Sequence, residues 1–174
     1  MAPAAGAARS RTLWLRDGRS VRVRPIRPPD AEALRAFEDG LCETSHRFRY
    51  LGWMRPLSAG EALAMATVDF RRRFAIVATV RRATGEAVVA DCRLIAEPGL
   101  PAEIAIAVAD DYQDVGLGRA LIRQMLVIAG DHGVETVEAR VRYDNARMMH
   151  VLRGLGWQRS AWELGVVTFV TRAA

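Results

Sequence analysis

Lysine is absent from this sequence. All 25 residues counted as lysine or arginine are arginine, in a chain of 174 residues with a net charge of +5. The chain therefore has no lysine side chain of its own to modify, although it is basic enough to attract phosphate groups. We do not expect a nucleic-acid partner, because the arginines are scattered and no interleaved aromatic residues form a stacking platform with them.

Cysteine and long apolar runs are also scarce. Cys42 and Cys92 are too few for a disulfide framework, and neither they nor His46, His132 and His150 have metal-ligand spacing. No stretch reaches the apolar length of a membrane span. The first residues lack the apolar core of a signal peptide. These absences predict a cytoplasmic protein with reduced thiols, no metal and no membrane contact.

Length and composition predict one folded domain. With 174 residues, of which 51% are hydrophobic, the chain can bury a substantial core. Neither an internal repeat nor a linker is visible. Residues 1–12, which are rich in alanine and arginine, are predicted to form a flexible leader, and residues 13–174 the domain.

Hydrophobic periodicity predicts helices and strands in a mixed order. Val21 and Val23 alternate with arginines as a half-buried strand, and Asp30 is predicted to cap the helix that follows. Ser58 and Glu61 have the spacing of a capping box for a second helix. Further strands are predicted at 74–80, 87–96 (after a turn at Thr84–Gly85), 103–108, 134–141 and 166–170, and helices from 117 to 132 and from 145 to 155. This order predicts an α/β fold with a sheet of mixed direction.

The segment Gln-Asp-Val-Gly-Leu-Gly-Arg, residues 113–119, lies between a predicted strand and a predicted helix. Gly116 and Gly118 lack side chains that could block an anion from the first N–H groups of that helix, where the helix dipole also attracts negative charge. A pyrophosphate would fit there. The spacing lacks the Gly-Lys-Ser/Thr ending of the Walker pattern and the third glycine of the dinucleotide fingerprint. A plain strand-to-helix turn is the alternative explanation of the two glycines.

The surroundings of this loop resemble the GNAT superfamily of acyl-CoA-dependent N-acyltransferases. Upstream, Glu103 begins the strand Glu-Ile-Ala-Ile-Ala-Val; downstream follow a second strand, Asn145 and Gly-Leu-Gly-Trp at 154–157. The resemblance covers nearly the whole chain. It implies a single domain with a GNAT-like mixed central β-sheet flanked by helices, and acetyl-CoA as the cosubstrate.

The opening of the chain resembles the protein-lysine acetyltransferase (Pat-like) branch of that superfamily. It reads Val-Arg-Val-Arg-Pro-Ile-Arg-Pro-Pro-Asp at 21–30, followed by Ser45 and by Arg49-Tyr50. Because this region borders the acceptor groove in the superfamily, the resemblance favours a protein lysine as acceptor. A small amine is the alternative acceptor, and a coenzyme A sensor without turnover is the alternative function. The sequence leaves the oligomeric state open.

The resemblance also implies the coenzyme-binding residues. The backbone of Ala107 and Val108 would pair with the pantetheine arm, and Asn145 would contact the pantetheine or phosphate region. The backbone amides of the glycine loop would hold the pyrophosphate; its residues are Gln113, Asp114, Val115, Gly116, Leu117, Gly118, Arg119 and Ala120. Asn145 is also a favoured helix-capping residue, and the two roles can coexist.

Glu103 is the candidate general base, since a glutamate occupies the matching position in the Pat-like pattern. It would take a proton from the acceptor ammonium directly or through water. An exposed glutamate paired with an arginine is the alternative. Many superfamily members place a tyrosine as general acid where this chain has Leu152, and Tyr143 does not match that position. Pat-like members often lack this tyrosine as well, so the proton for the departing thiolate would come from water or another group.

Overall fold

The computed structural model describes residues 10–52, 55–83 and 85–174. In these ranges one mixed sheet has the strand order β1-β2-β3-β4-β5-β6-β8-β7. The strands are β1 Arg11–Trp14, β2 Ser20–Pro25, β3 Arg73–Arg82, β4 Gly85–Ile95, β5 Ala102–Val108, β6 Thr136–Arg142, β7 Gln158–Glu163 and β8 Val166–Arg172. The helices are α1 Ala31–Asp39, α2 Glu43–Tyr50, α3 Ala59–Ala66, α4 Leu117–Asp131 and α5 Ala146–Arg153. The predicted α/β fold with a mixed sheet is confirmed.

Strands β5 and β6 are the parallel neighbours in this sheet, whereas the other neighbouring strands are antiparallel. Their register pairs Ala102 with Val137 and Glu103 with Glu138, and goes no further. Strand β5 nevertheless stays paired with β4 as far as Val108, and β6 stays paired with β8 along its whole length. Beyond Glu103 the two strands therefore separate and leave a gap in the middle of the sheet.

Helices cover both faces of the sheet. Helices α4 and α5 cover one face, where the apolar residues of α4 recur at the predicted helical spacing. Fully buried members of this core include Leu117, Leu121, Met125, Leu152, Phe74 and Phe169. Helices α1 and α3 cover the other face with a smaller core, which includes Leu34, Phe37, Ala66, Ala75 and Val77. The gap between β5 and β6 is lined by residues of α2, α4 and α5.

Three of these secondary-structure elements were not predicted from the sequence. Strands β1 and β7 are mostly or wholly exposed, and helix α2 has no fully buried residue. Their sequences therefore lack the apolar periodicity on which the prediction depends. Of the predicted leader, residues 1–9 lie outside the described residues, whereas Arg11 and Thr12 are paired in β1. Thr84 of the predicted turn also lies outside them. The capping box of Ser58 and Glu61 at the start of α3 is confirmed.

Asp30 directly precedes α1, but its side chain does not cap the helix as predicted. Its carboxylate instead accepts hydrogen bonds from the Arg24 guanidinium at 2.6 and 2.8 Å and from the Arg27 backbone N–H at 2.8 Å. Burial on its own would raise the pKa of Asp30, but these hydrogen bonds, above all that from Arg24, hold it below its usual value. Arg24 also contacts Glu86 at 2.7 Å, so this buried group joins β2, β4 and the start of α1.

We expect Asp30→Asn to lower the free energy of unfolding by about 3 kcal/mol at pH 7, because it breaks a buried ion pair. The folded-state pKa of Asp30 is lowered, so its contribution is present above the usual carboxyl pKa and is lost as the pH falls through the folded value. Denaturant titrations at neutral and acidic pH should show the difference from wild type shrinking in acid. Glu32→Gln removes an exposed pair with Arg35 on α1 and is the control. Equal losses for both variants would contradict the prediction.

Candidate active site

A cavity of about 980 Å³ opens where β5 and β6 separate. Residues 103–108 of β5 and 139–141 of β6 line it, together with α2, the glycine loop and α5. It brings together the predicted residues Glu103, Ala107, Val108, Gln113, Asp114, Gly116, Gly118, Arg119 and Asn145. Three predicted coenzyme residues, Val115, Leu117 and Ala120, do not line this cavity. The Leu117 side chain is fully buried in the core, so its contribution there is limited to its backbone.

The glycine loop presents free backbone N–H groups at the start of α4. The first backbone hydrogen bond of this helix runs from the Ala120 N–H to the Gly116 carbonyl at 3.1 Å. The N–H groups of residues 117–119 come before it and have no acceptor within the described part of the chain. Asp114 and Gly116 both have left-handed backbone conformations, with φ of 60° and 90°. When left-handed residues alternate with others, successive backbone N–H groups line one concave surface. The loop therefore has the geometry of an anion-binding site.

The two glycines of this loop differ in backbone conformation and in what a side chain there would contact. Gly116 has a φ of 90°, which is strained for residues with side chains, and a Cβ there would lie 3.4 Å from Nε of Arg16. A Cβ on Gly118 would instead contact the β5 side chains of Val108 at 3.7 Å and Ile106 at 3.9 Å. These are ordinary van der Waals distances, so the structure has room for a Cβ at Gly118. Both glycines line the cavity, so their role in leaving room for an anion stays a prediction.

Polar contacts tie α2 to the loop after β5. The Asp110 carboxylate accepts from the Cys42 backbone N–H at 2.9 Å and from the Ser45 hydroxyl at 2.6 Å. The Gln113 side-chain amide donates to Ser45 Oγ and to the Val108 carbonyl, each at 3.0 Å. Burial alone would raise the pKa of Asp110, but the hydrogen bonds from Ser45 and Cys42 hold it below its usual value. The predicted coenzyme residue Gln113 thus uses its side chain to connect α2 with β5.

A second tie joins α2 to the end of β6. Arg47 of α2 forms an ion pair with Asp144 at 2.9 Å. Because Asp110 follows β5 and Asp144 follows β6, helix α2 spans the open end between the two strands. The next residue, Asn145, accepts a hydrogen bond from the Met148 N–H at 3.1 Å and so caps α5, as the capping interpretation expects. Asn145 also lines the cavity, and its contact with the coenzyme stays a prediction.

Arg49 and Tyr50 line the cavity at the end of α2 and cover a buried group of charges. Asp91, which is fully buried, accepts from Arg93 Nε at 2.6 Å and lies 3.5 Å from the terminal nitrogen of Arg49. Glu38 of α1 is 1% exposed, and burial raises the pKa of its carboxyl group. Burial likewise raises the pKa of Tyr50. Sequence reasoning missed this group because its members come from three separate elements.

Glu103 is half-buried at the start of β5 and lines the cavity. Among the ion pairs of the described residues none involves Glu103, which disfavours the alternative of an arginine-paired glutamate. Leu152 lines the same cavity from α5 and is fully buried. Tyr143 is 57% exposed and does not line it. The side chain at the usual tyrosine position is therefore an apolar cavity wall.

Cys92 and His132 lie away from this cavity, whereas Cys42 and His150 line it. Cys92 is fully buried in β4, and burial raises the pKa of its thiol, so it is a core residue. His132 ends α4, and its ring nitrogen lies 2.8 Å from the Ile128 carbonyl. Across residues 10–52, 55–83 and 85–174, no group of three or more His, Cys, Asp or Glu could hold a metal ion. No helix in these ranges is long and apolar enough to cross a membrane.

Comparison with known proteins agrees with this geometry. A family model for the acetyltransferase (GNAT) domain matches residues 20–158, a range that includes β5, the glycine loop, β6 and Asn145. The chain belongs to the GNAT acetyltransferase family. The matched range also contains α2 and Glu103, so every residue that lines the cavity of this GNAT domain lies within the family pattern except Arg16.

Relatives of this GNAT domain include named acetyltransferases. Acetyltransferase PA5475 of Pseudomonas aeruginosa is 31% identical over 148 residues, 82% of this chain and 77% of that protein. Acetyltransferase Pat of Mycolicibacterium smegmatis is 35% identical over 160 residues, 89% of this chain and 46% of Pat, so the chain spans about half of Pat. The crystal structure of the GNAT domain of S. lividans PAT superposes with a TM-score of 0.86 at 28% identity over 99% of both chains. The resemblance to the Pat-like branch is confirmed.

Alanine substitutions at the two glycines of this loop should differ in how much they lower the free energy of unfolding. Gly116→Ala should lower the free energy of unfolding by about 1–2 kcal/mol, because its left-handed conformation is costly for alanine. It should also weaken acetyl-CoA binding. Gly118→Ala adds a Cβ at ordinary contact distance, so stability should change by less than about 1 kcal/mol. Denaturant titration and calorimetry on both variants measure these effects, and a larger destabilisation by Gly118→Ala would contradict the assignment.

Proposed function

We propose that this GNAT domain transfers the acetyl group of acetyl-CoA to the amine of a protein lysine, with Glu103 as the general base. The observation that carries the proposal is the adjacency of two features. A strand edge without a partner lies beside free N–H groups at the start of α4. The amides in the pantetheine arm of acetyl-CoA suit the strand edge, and the pyrophosphate beyond that arm suits the free N–H groups.

The pantetheine arm would lie along the unpaired edge of β5. Between Ile104 and Val108 this strand has no parallel partner in β6, so its inner edge can pair with the pantetheine amides as with an added strand. The Val108 carbonyl already accepts from Gln113, which places the ligand's pairing nearer Ala107. The pyrophosphate would then reach the N–H groups of residues 117–119. The thioester would come to rest near Glu103 and Ala105.

The reaction needs a neutral amine and a polarised carbonyl. Glu103 would remove a proton from the lysine ammonium, directly or through water, after which the nitrogen attacks the thioester carbon. Backbone N–H groups of β5 would stabilise the developing oxyanion. The nitrogen then loses its second proton to water, the C–S bond breaks and the coenzyme leaves as a thiolate. Because Leu152 cannot donate a proton, we propose that this thiolate is protonated by water.

Glu103→Gln should lower turnover by about a hundred- to ten-thousandfold, because it keeps the shape of the side chain and removes the base. Acetyl-CoA affinity should stay the same. The loss should shrink at high pH, where more of the acceptor amine is already neutral. Coenzyme A release and calorimetric binding measure the two effects.

Glu138→Gln is the matched control for this experiment. Glu138 is the register partner of Glu103 on β6 and does not line the cavity. The control removes the same charge from the adjacent strand, so its turnover should stay near that of wild type. A wild-type rate for Glu103→Gln would rule out Glu103 as the base.

The protein-lysine acceptor is supported by the Pat-like opening of the chain. Ser45, Arg49 and Tyr50 belong to that pattern, and all three line the cavity from α2. Helix α2 and Glu103 line the same cavity, so a lysine that enters it would contact this helix. The relatives named Pat and PAT are consistent with this choice.

Acetylation of lysines on purified proteins tests the acceptor. We expect incubation with acetyl-CoA and candidate proteins, including acyl-CoA synthetases, to give acetyl-lysines that the Glu103→Gln variant does not produce. Mass spectrometry can assign every such lysine to the substrate, because this chain contains no lysine. Rapid coenzyme A release with a small amine, and no enzyme-dependent acetyl-lysine, would replace the protein acceptor by a small one. Tight coenzyme binding with neither activity would favour the sensor.

A further inference from the structure

The turn between β1 and β2 crosses the glycine loop. In this turn the Arg16 backbone N–H donates to the Val115 carbonyl at 3.2 Å. The Arg16 side chain continues over Gly116: a Cβ built on that glycine would lie 3.4 Å from Nε and 3.8 Å from Cδ and Cγ of the arginine. Arg16 also lines the cavity. Its guanidinium thus lies at the cavity mouth, next to Gly116, the residue that precedes the free N–H groups of α4.

Three other arginines near the glycine loop already have protein partners. Arg119 donates to the Gly154 carbonyl, and Arg147 pairs with Asp114 at 3.2 Å. Arg19, in the same turn as Arg16, pairs with Asp17 at 2.6 Å. Within the described residues, no carboxylate forms an ion pair with Arg16 and no hydrogen bond uses its guanidinium. An arginine with this freedom, beside an anion site, is suited to contact a phosphate with charge-assisted hydrogen bonds.

We propose that Arg16 binds the pyrophosphate of the coenzyme from the side opposite the α4 N–H groups. The inference rests on the proposed use of acetyl-CoA. It assigns the pyrophosphate rather than the 3′-phosphate, because the Arg16 side chain overlies Gly116, the residue immediately before the free N–H groups. The turn between β1 and β2 then forms one wall of the coenzyme site, although it lies outside the range that the family model matches.

Calorimetric binding of two coenzymes tests this assignment. Acetyl-CoA and its 3′-dephospho form share the pyrophosphate and differ in the 3′-phosphate. We expect Arg16→Gln to weaken both by the same factor, about tenfold, which is the loss of one charge-assisted hydrogen bond. Arg16→Lys should keep part of the affinity. The dependence of wild-type affinity on salt should be steeper than that of Arg16→Gln.

Arg11→Gln is the control for removing a positive charge. Arg11 is exposed at the far end of β1 from this turn and does not line the cavity. It should bind both coenzymes as wild type does. We expect each variant to unfold at the wild-type temperature, since the Arg16 backbone bond to Val115 does not depend on the side chain.

The possible outcomes separate this inference from the proposed function. Equal weakening of both coenzymes by Arg16→Gln supports the pyrophosphate contact. Weakening of acetyl-CoA alone would assign Arg16 to the 3′-phosphate and overturn it, as would unchanged affinity for both. If the folded wild-type protein bound neither coenzyme, the proposed function and this assignment would both fall. Wild-type binding with no effect of Arg16→Gln would overturn only the Arg16 contact.

Discussion

The site depends on the separation of β5 from β6. Each strand keeps a full ladder on its outer side, with β4 and with β8, while their shared ladder ends at Glu103 and Glu138. A buried strand edge with unpaired N–H and C=O groups is costly unless something supplies the missing hydrogen bonds. A ligand that carries amides of its own can supply them. The cavity and the placement of Glu103 in it both follow from the separation of these two strands.

Arginine makes every ion pair in the part of the chain that the structure describes, and its partners decide what each arginine does. Arg24 is forked against the buried Asp30, and Arg47 ties α2 to Asp144. The planar guanidinium suits such paired contacts better than an ammonium group does. The same chemistry suits phosphate, so an arginine at the cavity mouth becomes available for a ligand when the fold gives it no carboxylate. Arg16 meets this condition, whereas Arg147 does not.

Much of the fold could be predicted because its signals are local. The capping box of Ser58 and Glu61, the apolar spacing of α4 and the glycine loop each depend on residues a few positions apart, and each was found. Strands β1 and β7 and helix α2 were missed, since they lie at the edges of the sheet or on the surface and bury few apolar side chains. For the site, the sequence predicted Glu103, the loop and Asn145, but not the polar ties that hold α2 across the gap.

The sequence by itself determined the order of the elements, the position of the glycine turn before α4 and the carboxylate at the start of β5, because short-range periodicity and backbone preferences encode them. Only the tertiary structure decided which partner each polar side chain takes. Asp30 binds Arg24 instead of helix N–H groups, and Gln113 binds Ser45 from 68 residues away. Burial and hydrogen bonding between distant segments set these choices, and those contacts exist only once the sheet has formed.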